Sequence, residues 1–193
     1  MDLNQGTERV KHVRARKMML WFGIVSLIMG FAGWTSAYIV SSSREDWMTD
    51  FALPQAFLYS TIILILSSVT YILAKRAIKN SNQKSCTQWL VITMLLGIGF
   101  IFLQFQGFSE MIGQGYFFTG PTSNISMSYV FLIAAVHIAH VVAGLISLTV
   151  VLVNQLRAKY SEKDYLGLEL GATFWHFLDL LWIYLILFFY FFG

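Results

Sequence analysis

Polar and apolar positions do not alternate along this chain; they separate into blocks. Five long apolar stretches, at about 18–40, 55–74, 88–109, 127–153 and 170–192, are divided by short clusters of charged, amide and hydroxyl residues. Each stretch reaches the roughly 20 residues that a helix needs to cross a bilayer. A lone strand cannot satisfy its backbone in hydrocarbon, so all five are predicted to be helices. The expected fold is an all-α integral membrane protein, a bundle of five transmembrane helices. Residues 1–193 form a single membrane domain in this reading, with 1–17 as a basic N-terminal arm.

Composition supports the pattern. The chain is 57% hydrophobic and only 12% charged, too much apolar surface for one soluble core. The formal charge of +3 does not indicate nucleic acid, because the basic residues punctuate apolar segments and build no patch interleaved with aromatics. Their placement reports topology instead. Of thirteen Lys and Arg, five precede the first stretch, four (Lys75, Arg76, Lys79, Lys84) lie between the second and third, and three (Arg157, Lys159, Lys163) between the fourth and fifth. Arg44 alone falls in the opposite loops, so the positive-inside rule puts the N-terminus in the cytoplasm and the C-terminus on the outer side. The first apolar run is longer than a signal-peptide core and is read as a retained span. A single cysteine, Cys86, leaves no intrachain disulfide partner and no metal-binding spacing.

Candidate chemistry concentrates in the last two stretches. Trp175-His176-Phe177-Leu178-Asp179-Leu180-Leu181-Trp182 places ionisable groups inside an apolar run, at an insertion cost of roughly 2.5–3.5 kcal/mol for a charge, so they need protein partners. In the fourth stretch, His137, His140, Gly144 and Ser147 fall within a helical face about 80° wide. His140 and Asp179 come out roughly 20 Å and 15 Å from the basic ends of their helices. The expectation is that Asp179 accepts a hydrogen bond from a histidine, either His140 across helices or His176 one turn away. Other polar groups are read as structural. The first stretch carries Ser26, Gly30, Gly33 and Ala37 at the spacing of a close helix contact. The second, after Pro54, offers no chemistry, and Gln104 and Glu110 gather near the outer end of the third. The segment Gly113 to Asn124, with Gly120-Pro121, is the outer loop.

Three uses of the buried groups compete. A metal site requires three or four donors converging on one point, and the spacing does not supply them: no metal ligand and no catalytic residue is assigned. A proton relay requires a polar file to a surface, and beyond Asp179 the fifth stretch offers only Tyr184 and Tyr190 among apolar residues. A lipid site would use histidine, tryptophan and basic groups near the cytoplasmic end to hold an anionic headgroup.

Gly167-x-Glu169 followed by Trp175-His176-Phe177-x-Asp179-x-x-Trp182, together with His137-x-x-His140-Val141-x-x-Gly144, resembles subunit three of the haem–copper terminal oxidases, in both the cytochrome c oxidase and quinol oxidase branches. Long members of that family have seven spans, and this chain resembles the short, five-span form. The resemblance implies a non-catalytic subunit that carries no cofactor of its own. It would pack on a catalytic subunit I and a copper-bearing subunit II, with haem and copper held by its partners. It would also bind phospholipid and support proton uptake or oxygen access in a prokaryotic plasma membrane. It singles out His137, His140, Glu169, Trp175, His176 and Asp179, with Glu110 more weakly, as stabilisers of helix packing and of a lipid site. Where the family carries an intramembrane glutamate in its equivalent of the first stretch, this chain has Ser26 or Leu27, so no role for that carboxylate transfers. Two other functions fit the same hydropathy: a subunit-three-like partner of a nitric oxide reductase, and a small independent transporter or channel.

Overall fold

A computed structural model describes residues 3–45, 47–48, 53–120, 123–162 and 164–192. Pro121 of the predicted outer loop and Lys163 of the predicted basic loop lie outside the described residues. The chain folds into five helices: α1 Leu3–Ser41, α2 Gln55–Lys79, α3 Gln83–Gly113, α4 Ile125–Leu156 and α5 Leu166–Phe192. All five are long and apolar enough to span a membrane. Each runs past its apolar stretch, because Lys, Arg, Gln and Glu are good helix formers that can continue a helix into water. The longest extension is at the N-terminus, where the basic segment continues α1 as helix from Leu3.

Helices α2, α3, α4 and α5 close a ring in which each packs on the next, and α2 also packs on α5. α1 lies outside this ring, against α4 and α5. Its inward face is Ile24, Phe31, Thr35 and Tyr38, all buried. Ser26, Gly30 and Gly33 point away from the bundle, and a Cβ added at either glycine would meet nothing within 4 Å. Of the close-contact face expected in α1, then, only Ala37 is half-buried, and no other helix among the described residues packs into Gly30 or Gly33. Small side chains permit a close approach; they do not determine which neighbour makes it.

Two glycines of the ring make room for side chains of α5. A Cβ at Gly97 on α3 would stand 2.7 Å from Trp175 Cη2, and one at Gly144 on α4 would stand 2.8 Å from Leu178 Cδ1. These two notches seat inward side chains of α5: Trp175 reaches across the bundle to α3, and Leu178 meets α4.

Three helix ends share one backbone device. After α2, Asn82 N–H donates to the Ala77 carbonyl at 2.9 Å and Ser81 N–H to Ile78 at 3.0 Å; after α3, Tyr116 and Gly115 repeat the pattern onto Met111 and Ile112. After α4 it recurs with Lys159 and Ala158 onto Asn154 and Gln155. This Schellman arrangement needs a left-handed residue past the cap. Gly115 supplies it at φ 89°, but Ser81 at 58° and Ala158 at 52° adopt it as L-residues. The α4–α5 connection is then fastened to the α2–α3 turn. Gln83 Nε2 donates to the Tyr160 carbonyl at 2.8 Å, and Ser81 Oγ to Glu162 at 3.1 Å. Burial pushes the Tyr160 hydroxyl above the ordinary phenol range.

Candidate functional site

The polar groups inside the bundle are organised by α2, the helix that offered no chemistry in the sequence. Along one side of it, Ser60 accepts from Gln104 Nε2 at 2.9 Å and Thr61 from the Trp182 indole N–H at 3.1 Å. About two to three turns further, Ser67 accepts from Trp175 Nε1 at 3.0 Å, and Thr70 pairs with Thr93 of α3 at 2.8 Å. Ser68 stands between the two ionisable groups of α5: its hydroxyl donates to Asp179 Oδ2 at 2.6 Å and lies 2.7 Å from His176 Nδ1. Hydroxyl residues in a helix interior can satisfy themselves on the carbonyl one turn back, so in the sequence they carry no sign of a long-range partner. Ser60 and Ser67 do bond back, to Phe57 and Leu64, while their oxygens still accept from across the bundle.

The expected hydrogen bond from a histidine to Asp179 is replaced by this serine. Among the described residues neither His140 nor His176 bonds Asp179 directly. The reason is geometric: His176 and Asp179 sit one turn apart on α5 with Ser68 of α2 fitted between them, whereas His140 turns its Nδ1 onto the Val136 carbonyl of its own helix at 2.7 Å. Asp179 is only 4% exposed, and His176 is half-buried at the edge of the α2–α5 seam.

His137 occupies a different environment. Fully buried, it stacks on Trp182 with centroids 5.0 Å apart at 24°, and meets the edges of Phe31 and Phe100 at 6.3 and 6.0 Å. Neither ring nitrogen has a hydrogen-bond partner among the described residues. Trp182 is the hub of this aromatic layer and also takes the edge of Phe57 at 5.8 Å.

The remaining singled-out residues lie apart. Trp175 is buried beside Gly97. Glu169, near the basic end of α5, pairs with Lys17 of α1 at 3.0 Å, with both side chains partly exposed. That pair borders a groove of about 600 Å³ between α1 and α5, lined also by Arg14, Trp21 and Tyr165. Glu110 is exposed in the last turn of α3. Of the predicted site residues, then, the fold joins His176 to Asp179 through Ser68, isolates His137 among rings, and sends His140, Glu169 and Glu110 elsewhere. Among the described residues no three His, Cys, Asp or Glu side chains converge on one point.

Comparison with known proteins bears out the family resemblance carried by the last two helices. The profile of the family described as cytochrome c oxidase subunit III matches residues 46–193. A cytochrome bo(3) ubiquinol oxidase subunit 3 from Buchnera aphidicola is 35% identical over 133 residues, 69% of this chain and 67% of that one. A cytochrome c oxidase subunit 3 from Spodoptera frugiperda is 36% identical over 146 residues, covering 76% of this chain and 95% of that one. A probable cytochrome c oxidase subunit 3 from Rickettsia felis is 36% identical, and there the match spans only about half of the relative, 47%. With the family profile covering α2 through α5, and relatives in both the cytochrome c and the quinol branches, this chain belongs to the cytochrome c oxidase subunit III family.

Proposed function

We propose that this chain is a non-catalytic subunit of a haem–copper terminal oxidase in a prokaryotic plasma membrane, one membrane domain with its N-terminus in the cytoplasm, packed on a catalytic subunit I and a copper-bearing subunit II. The observation that carries the reading is the use to which the buried polar side chains are put. Ser60, Thr61, Ser67, Ser68 and Thr70 of α2 take up the polar atoms of Gln104, Trp182, Trp175, Asp179 and Thr93 in helix-to-helix contacts, and among the described residues no three His, Cys, Asp or Glu side chains gather at one point. Haem and copper then belong to the partners. Twelve of thirteen basic residues on one side of the spans support the orientation.

A phospholipid at the groove between α1 and α5 is part of the same proposal. Arg14 and Lys17 offer cations to a phosphate, and Trp21 offers an apolar wall at the depth where amphipathic rings settle. His140, Glu169 and Trp175 act in this reading through helix packing and the rim of that groove, and any support of proton uptake or oxygen access follows from holding the complex together. Glu110, in the last turn of α3, sits at the opposite interface.

The test is affinity purification through a tag on this chain, with an inventory of subunits, haem, copper and lipid by mass spectrometry and absorption spectroscopy. Haem and copper with oxygen uptake are expected in the purified complex. Nitric oxide consumption would favour the reductase-partner reading, and solute or proton flux from the chain reconstituted alone would favour a transporter or channel.

A further inference from the structure

The geometry of the α2–α5 seam points to a second property, independent of which subunits this chain binds. We propose that Ser68, His176 and Asp179 form a proton-exchange site, in which the serine hydroxyl passes a proton between the half-buried imidazole and the buried carboxylate.

The hydrogen-bond topology allows transfer in both directions. Ser68 Oγ has one proton and two short contacts, 2.6 Å to Asp179 Oδ2 and 2.7 Å to His176 Nδ1. With the proton on His176, Nδ1–H donates to Ser68 and Ser68 O–H donates to Asp179. With the proton on Asp179, the carboxyl donates to Ser68 and Ser68 donates to Nδ1, so the same three heavy atoms serve both states. The step balances. A proton from water adds to His176 Nε2; the Nδ1 proton then moves to Ser68 Oγ as the serine's own proton moves to Asp179 Oδ2. One N–H and one O–H bond break and two O–H bonds form. His176 is left neutral with its proton on Nε2, and the reverse sequence returns the proton.

The surroundings give the site one open side. Ser68 is the one hydrogen-bond partner of Asp179 among the described residues, and an ionised carboxylate without a counter-ion is costly in hydrocarbon. Behind Asp179, the space lined by Leu64, Gly97, Phe100, Val141, Trp175 and Leu178 admits no water-sized sphere. From α3 no titratable group reaches it, and from α4 His137 is held against Trp182 while His140 bonds its own backbone. On the other side, Glu169, Thr173 and His176 form a polar stripe along α5 toward the basic end. Two α2 residues face the imidazole there: Tyr71, with its ring 6.0 Å away, and Lys75, whose charge acts on it. Protons can therefore enter by way of His176, and the file stops at Asp179. The site loads and releases a proton without conducting it across the membrane.

The test uses the full chain in lipid nanodiscs with isotopically labelled aspartate, following the carbonyl stretch of the protonated Asp179 carboxyl by infrared spectroscopy after a jump into deuterium oxide; Asp179→Asn assigns the band. Ser68→Ala is expected to slow deuterium entry about tenfold or more, the scale of a lost proton-transfer group. Ser68→Thr should exchange like the wild type because it keeps the hydroxyl. His176→Phe, at the half-buried edge, should slow exchange as Ser68→Ala does, and it serves if the serine variant does not fold. A folded Ser68→Ala or His176→Phe protein exchanging at the wild-type rate would overturn the proposal. So would the absence of a protonated Asp179 band throughout about pH 5 to 8.

Discussion

The His137 ring stacks on the indole of Trp182, 5.0 Å centroid to centroid, with both of its nitrogens buried and without a hydrogen-bond partner among the described residues. An orphaned buried polar group costs about 1–3 kcal/mol, so here the imidazole contributes as an aromatic slab and is penalised as a polar group. His137→Phe keeps the ring and removes the penalty. It is expected to leave the thermal unfolding midpoint of the detergent-solubilised protein unchanged or raise it, whereas His137→Ala should lower it by opening a cavity worth about 2–4 kcal/mol. A large loss of stability in the phenylalanine variant would show that the ring nitrogens have a partner after all.

Ser68 and Asp179 set up an asymmetry that stability measurements can read. Removing the serine hydroxyl leaves a carboxyl that is 4% exposed with no hydrogen-bond partner among the described residues, whereas replacing Asp179 by leucine still leaves Ser68 and His176 to each other. Breaking one side of a buried polar contact costs more than removing the group that required it. Ser68→Ala is therefore expected to lower the unfolding midpoint more than Asp179→Leu, by about 1–3 kcal/mol against the wild type. Equal or reversed effects would mean that Asp179 gains its stabilisation elsewhere.

The membrane helices were legible in the sequence, because spans of this length have few alternatives in hydrocarbon. Helical periodicity placed His137, His140, Gly144 and Ser147 on one face, of which His137 and Gly144 are buried and His140 and Ser147 half-buried. The partners were less legible, for two physical reasons. Ser and Thr in α2 look the same in sequence whether they bond only their own backbone or also a helix across the bundle, so Ser67 and Ser68 gave no sign that they receive Trp175 and Asp179. The glycines also misled by symmetry. Gly30 and Gly33 have the spacing of a packing face yet lie outward, while Gly97, with no such spacing to mark it, seats Trp175. Which notch is filled depends on the shape of the opposing helix, and one helix's sequence does not encode that.

The notch at Gly144 is testable as a pair. A methyl group there would meet Leu178 Cδ1 at 2.8 Å, an overlap the core must relieve by shifting α5, and overpacking of this kind costs about 1–3 kcal/mol. Gly144→Ala alone should lower the unfolding midpoint. Combined with Leu178→Ala, which removes the colliding atoms, it should cost less than the two single changes added together, because the sites share one contact. Strict additivity would place the strain of Gly144→Ala somewhere other than Leu178.

The two left-handed caps offer the opposite outcome, a gain. Ser81 and Ala158 hold φ 58° and 52°, a region that costs an L-residue roughly 1–2 kcal/mol and costs glycine much less. Set against this is the larger entropy that glycine loses on folding, about 0.5–1 kcal/mol, so the net gain from Ala158→Gly is a few tenths to about 1 kcal/mol. Ala158 is the cleaner test. Its backbone N–H bonds Gln155, and glycine keeps that donor. Ser81 also donates its side chain to Glu162 at 3.1 Å, an exposed contact that glycine would forfeit. The expected order of unfolding midpoints is Ala158→Gly above wild type, with Ser81→Gly at or slightly above it. Ala158→Gly below wild type would mean that the left-handed turn after α4 is not the conformation the chain adopts.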